Sequence, residues 1–215
     1  MNPRQQQKQL DKLGGWRQFA FLLALAERAF PNFALFAELR DTGAGDRFRN
    51  GLNLGWSMLL RRDHNVDVLK LLSRLERGCP DPETHDVYGV YPALDAWWLL
   101  EQALLCHINP DKKRAAEGAL VATNTVTTFI EVTEGEGLDD DELVRLFERH
   151  DLTTADKGFQ QLLIETLRRA RAPEPDTIHD VLAMAHNEGV SNLGLEIPER
   201  WAGFPDLRVV DEEEE

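Results

Sequence analysis

The sequence predicts an all-α fold: a single multi-helix, bundle-like domain of about eight or nine helices with an irregular acidic C-terminal tail. Three observations predict it. Apolar residues recur at steps of three and four along most of the chain. Capping and breaking residues fall between those stretches at short intervals. No linker longer than a few residues divides the body, and no repeat of fixed period appears. On this reading residues 1–197 are one helical domain and residues 198–215 are the tail. A chain of 215 residues is long enough to bury a core without disulfide or metal staples.

The elements follow in order. Pro3 after Asn2 suits the start of a short helix that Gly14-Gly15 ends. Trp16, Phe19, Leu23, Ala26 and Phe30 then mark one helical face, widened by Leu22 and Ala29. Pro31 lacks a backbone donor and clashes with the preceding turn, so a break or kink is expected there, with Asn32 capping a shorter helix through about Leu39. Residues 41–45 read as a loop. Asp46 is placed as the cap of a helix to about Arg62 that points Phe48, Leu52, Trp56, Leu59 and Leu60 inward. Asn65 is placed as the cap of the next, with Val68, Leu69, Leu72 and Leu75 apolar and Gly78 past its end. Pro80-Asp81-Pro82 forces an irregular loop.

Pro92 suits the first turn of an apolar helix through about His107, and Asn109-Pro110 restarts the chain. Val121 to Thr133 is rich in Thr and Val, which favour strands. Helix is the better reading there. Ala116, Leu120, Thr123, Val126 and Ile130 repeat at helical steps, and a lone strand would have no partner. Asp139 with Glu142 makes a capping-box start, with Leu143, Leu146 and Phe147 as the apolar stripe. Thr153 or Thr154 caps the next helix, with Phe159, Leu162, Leu163, Thr166, Leu167 and Ala170 inward. Pro173 and Pro175 separate it from a helix over 176–188 closed by Gly189. Beyond Val190 the chain is read as irregular, with Trp201 and Phe204 as anchors onto the body.

Charge is unevenly laid out. The net charge is −14. Residues 131–157 hold ten Asp or Glu against three Lys or Arg, a net of −7, and the last five residues add −5, leaving −2 elsewhere. Such a field repels phosphate backbones, which disfavours direct nucleic-acid binding and favours a basic protein partner. The basic runs Lys112-Lys113-Arg114 and Arg168-Arg169-Ala170-Arg171 read as solvated faces. Two cysteines, Cys79 and Cys106, are too few for a disulfide framework and suit a reducing, cytoplasmic setting. The polar N-terminus does not read as a signal peptide, and the longest apolar run, Phe19 to Ala26, is short for a membrane span, so no membrane association is expected.

Three stretches carry a family resemblance. They are Ala26-Glu27-Arg28-Ala29-Phe30-Pro31-Asn32-Phe33, then Asp86-Val87-Tyr88-Gly89-Val90-Tyr91-Pro92-Ala93-Leu94-Asp95-Ala96, and Ser191-Asn192-Leu193-Gly194. In order and spacing over about residues 10–195 the chain resembles the YjaG-like family of bacterial proteins, a domain-of-unknown-function family. The family often has Cys, Met and Tyr where this chain has Ala26, Ala29 and Phe33. The resemblance implies an all-helical fold and no established activity, cofactor or catalytic residue.

The same stretches supply the candidate pocket: Glu27, Asp86, Tyr88, Tyr91, Asp95 and Asn192, expected to converge in one cleft. Each also has a structural reading. Glu27 on an apolar face is a general acid or base if its pKa is raised, and an ion-pair partner of Arg28 or Arg49 otherwise. Asp95 is expected in the first turn, serving a ligand or its own helix dipole. Tyr88 and Tyr91 pack with bonded hydroxyls or line the pocket. Asn192 bonds a ligand or caps a turn.

No catalytic, metal or cofactor signature is complete, so no cofactor is expected. Paired Glu-x-x-His motifs are absent, His179 and His186 lie seven apart and read as surface histidines, and the acidic loop at 134–142 lacks a calcium-loop arrangement. The leading reading is a non-catalytic interaction protein with a localised acidic surface. Alternatives are a small-molecule binder or enzyme using the six residues, and an acidic mimic of nucleic acid. Homo-oligomerisation stays open, since Trp56, Trp97, Trp98 and Trp201 suit core or interface equally.

Overall fold

The computed structural model describes residues 3–40, 43–60, 66–203 and 205. Among them are nine α-helices and no strand: α1 (Pro3–Leu10), α2 (Trp16–Arg40), α3 (Ala44–Leu60), α4 (Val68–Glu76), α5 (Val90–Ile108), α6 (Lys112–Glu134), α7 (Asp140–Arg149), α8 (Asp151–Arg169) and α9 (Pro175–His186). Two 3-10 turns follow, Asn187–Gly189 and Glu199–Trp201. The all-α expectation holds, including the helix at 121–133.

Helix α2 is the axis of the molecule. It packs against α3, α5, α6, α8 and α9, and 18 of its 25 residues are buried. By length and composition α2 is apolar enough to cross a membrane, but 89% of that apolar stretch is already buried by the protein. Its hydrophobicity is that of a helix surrounded on all sides. Close approach of α6 is permitted by Gly118, where a Cβ would stand 2.5 Å from Leu22 Cδ2 of α2. Helices α5 and α6 form an antiparallel hairpin, since Gln102 meets Arg114 near its closed end and Asp95 meets Thr125 further along.

Pro31 does not end the helix. Helix α2 runs unbroken through it, and Asn32 lies inside rather than at a cap. The missing donor costs up to about 3 kcal/mol. Splitting α2 would expose Phe33, Phe36 and Ala37, which are buried beyond the proline, at roughly 2 kcal/mol for each large side chain. Packing outweighs the local penalty.

Several caps also shift. Helix α3 starts at Ala44, so Asp46 is in its first turn. Its carboxylate instead receives Trp201 Nε1 at 3.0 Å and pairs with Arg200. Trp201 does anchor onto the body: it meets Phe30 edge-on at 6.0 Å and lies over Gly45, where a Cβ would come within 2.5 Å of the indole. Asp67 caps α4, accepting from Lys70 N at 3.0 Å, while Asn65 lies outside the described residues, as do Phe204 and the acidic tail 211–215. His150 caps α8 in place of Thr153 or Thr154, its Nδ1 accepting from Leu152 N at 3.1 Å. That bond leaves the ring proton on Nε2, which donates to Glu134 Oε1 at 3.0 Å. The Asp139–Glu142 capping box forms as expected.

Three leucines expected on apolar stripes face out: Leu69, Leu120 and Leu162 are 66%, 59% and 51% exposed. On α8 Phe159, Leu163 and Leu167 are buried as expected, joined by Thr153, Asp156, Gln160 and Ile164.

Candidate functional site

The six candidate residues separate into an internal group and a surface group. Glu27 heads the internal one. Its side chain has no accessible surface. Arg49 of α3 donates Nη1 to Oε1 and Nη2 to Oε2, both at 2.6 Å, and Trp56 Nε1 donates to Oε2 at 2.9 Å. His186, at the end of α9, brings Nδ1 to 3.5 Å from Oε1. Arg49 is itself held by Asn53 Oδ1 at 2.9 Å and lies over the Phe30 ring at 5.0 Å. Burial alone pushes the Glu27 carboxyl up. The Arg49 charge, with hydrogen bonds from Arg49, His186 and Trp56, outweighs burial and holds it at about 2. Glu27 is therefore a structural anion joining α2, α3 and α9. It is not a general acid or base with a raised pKa.

Asn192 is also internal. Its Oδ1 accepts from Asn32 Nδ2 at 2.9 Å, on α2. The turn is stabilised by its neighbour, because Ser191 Oγ accepts from Leu193 N and Leu195 N at 3.1 and 3.2 Å. Leu193 then packs with Val126 and Ile130 of α6.

Tyr88, Tyr91 and Asp95 make the surface group at the open end of the α5–α6 hairpin. Tyr88 is half-buried and Tyr91 is 53% exposed. The Tyr88 ring lies 6.3 Å from Tyr91 and 6.3 Å from Phe129 of α6. Asp95 is in the second turn of α5, one turn further than expected. It serves neither the helix N–H groups nor the dipole. Its Oδ2 accepts from Thr125 Oγ1 at 2.7 Å, joining α5 to α6. Burial pushes the Asp95 carboxyl above its ordinary range, and the Thr125 bond only partly offsets this. Burial and the nearby Asp95 charge also push the Tyr88 hydroxyl up. Asp86 is exposed on the irregular segment before that turn. One cleft reached by all six side chains is not formed, because Glu27 is sealed inside and Asn192 faces Asn32.

Sequence reasoning missed two features. His186, read as a surface residue, is 7% exposed and serves Glu27, while His179 is exposed. The second is a buried polar network between α6 and α8. Asp156 Oδ2 accepts from Thr123 Oγ1 and Gln160 Nε2, each at 2.9 Å, and Gln160 Oε1 accepts from Gln6 Nε2 of α1 at 2.7 Å. Burial pushes the Asp156 carboxyl up against those bonds and the charges of Arg28 and Lys157. The signal was present: Thr153, Asp156 and Gln160 continue the Leu163–Leu167 stripe at steps of three and four.

Among the described residues no group of His, Cys, Asp and Glu could hold a metal ion. Cys79 and Cys106 are both free thiols. A cavity of about 370 Å³ between the start of α2 and the end of α5 is lined by Trp16, Phe19, Met58, Cys106 and His107 and offers few polar groups.

Comparisons with known proteins agree with the fold. A crystal structure of a DUF416 family protein from Shewanella baltica superposes with a TM-score of 0.82 at 26% identity, covering 89% of this chain and 98% of that one. An uncharacterized protein from Haemophilus influenzae is 30% identical over 191 residues, 88% of this chain and 95% of its own length. The uncharacterized protein YjaG of Escherichia coli is 26% identical over 187 residues, 86% and 93% of the two chains. None of these names carries an activity. The family model described as protein of unknown function (DUF416) matches residues 5–196, and the chain belongs to that family.

Proposed function

We propose that this is a non-catalytic, cytoplasmic interaction protein that docks a basic protein partner on the acidic face formed around α7. The observation that carries the reading is that α7 buries none of its ten residues. Asp139, Asp140, Asp141 and Glu142 are exposed there, and Glu131, Glu134 and Glu136 precede them in exposed positions. Among these charges lie exposed apolar side chains: Val132 at 57%, Leu138 at 37% and Val144 at 53%. An acidic surface with apolar contacts suits a basic partner, since charge steers the encounter and apolar area is buried on docking. The two free thiols support a reducing compartment.

Affinity capture at low and moderate salt tests the reading, with a variant carrying Asp139→Asn, Asp140→Asn and Asp141→Asn and another carrying Leu138→Ser and Val144→Ser. The expected result is a discrete basic protein that survives moderate salt on the native chain and is lost from both variants. Identical capture by all three would sink the proposal.

A further inference from the structure

The open end of the α5–α6 hairpin combines three aromatic rings with a carboxylate that lacks a cation. The Tyr88 ring lies 6.3 Å from Tyr91 and 6.3 Å from Phe129, centroid to centroid, tilted by 49° and 41°. At those tilts the rings are not stacked flat on one another. Asp95 stands beside Tyr88 on the same hairpin. One of its oxygens, Oδ2, is taken by Thr125. Among the described residues no Lys, Arg or His pairs with Asp95, and the forces acting on its carboxyl are burial and the Thr125 bond alone. A partly desolvated carboxylate without a counter-ion is costly to hold. Glu27, enclosed on α2, is by contrast paired with Arg49.

The register is what assembles the group. Tyr91 and Asp95 are one turn apart on α5, and Thr125 and Phe129 are one turn apart on the antiparallel α6. Tyr88 sits just before α5. Exposed Tyr91 and Val87 keep the group open to solvent. Glu131 and Glu134 continue along α6 towards α7, so the local field favours positive charge.

We propose that Tyr88, Tyr91, Phe129 and Asp95 form a binding site for an organic cation, an alkylammonium or guanidinium group. Its rings contact the cation through their faces, and the free oxygen of Asp95 supplies the counter-charge. Resting on the basic-partner reading above, the natural occupant is a lysine or arginine side chain of that partner, with a small free quaternary amine as the other source of the same chemistry.

The two tyrosines of the chain are both in this site, which makes the test specific. The full chain is prepared with ring-labelled tyrosine and titrated by NMR with choline, with its neutral isostere neopentylcarbinol, and with a short Arg/Lys peptide. Choline is expected to move both tyrosine signals to saturation, and the isostere to leave them in place. Asp95→Asn is expected to weaken choline binding about tenfold. Tyr91→Leu, at an exposed position, is a second variant that does not depend on the core and should weaken it similarly. Equal responses to choline and the isostere, or no response to either, would overturn the site. Choline binding without peptide binding sustains the site and removes the basic-partner reading. Peptide binding with unmoved tyrosine signals overturns the site and leaves that reading standing.

Discussion

Arg49 holds Glu27 by both terminal nitrogens, 2.6 Å to each carboxylate oxygen, at a point where the glutamate side chain is wholly enclosed. The pair ties α2 to α3, and His186 adds α9 to the same carboxylate. Two-point geometry and the Trp56 bond satisfy both oxygens, the condition under which a buried ion pair is tolerable. Removing one partner leaves the other charge uncompensated.

Glu27→Gln is therefore expected to lower unfolding stability by about 3 kcal/mol, and Arg49→Met by a similar amount. The double variant Glu27→Leu, Arg49→Met should lie closer to the native chain than either single one, because no buried charge remains. Urea unfolding measures all three, with an unchanged denaturant slope marking a pure stability effect. Single variants within about 0.5 kcal/mol of the native chain would count against this role.

Acid should unfold the protein through the same residue. The Glu27 carboxyl lies at about 2 in the folded chain against an ordinary 4.5. A depressed carboxyl contributes stability that is complete above about pH 4.5 and is lost as pH falls toward 2, on the order of 3 kcal/mol here. Asp95 and Asp156 act oppositely, since both are raised by burial and the cost of their charges is relieved as they protonate. Stability measured between pH 7 and pH 2 should fall below about 4.5 in the native chain, and the fall should shrink in Glu27→Gln. An acid limb of equal depth in the two proteins would refute the assignment.

Pro31→Ala should stabilise the protein. Alanine restores the hydrogen bond to the Glu27 carbonyl and regains up to about 3 kcal/mol of helix propensity. The buried proline ring gives up roughly two methylenes, about 1.6 kcal/mol. The net expectation is a gain of about 1 kcal/mol, read as a higher urea midpoint. A loss would mean that the ring's packing in α2 matters more than the missing donor.

The helices could be read because their causes are local. Periodicity marked the apolar faces, and the Asp139–Glu142 capping box needs residues only three apart. Helix at 121–133 was legible because its apolar and small residues repeat at three and four. Caps with several nearby candidates were not: Asp67 caps α4, and His150 rather than Thr153 or Thr154 caps α8. The candidate site was legible in part. Tyr88, Tyr91 and Asp95 do share a surface, but Phe129 and Thr125 come from the other arm of the hairpin.

By itself, then, the sequence determined an all-helical chain, an apolar helical face along residues 16–30, and acidity gathered at residues 131–157 and the last five positions. Only the tertiary structure decided that α2 passes through Pro31, that Glu27 takes Arg49 rather than Arg28, and that His186 turns inward. The reason is distance along the chain. Propensity and capping act within about one helical turn, whereas the Glu27–Arg49 pair spans 22 residues and exists only once α2 and α3 have packed.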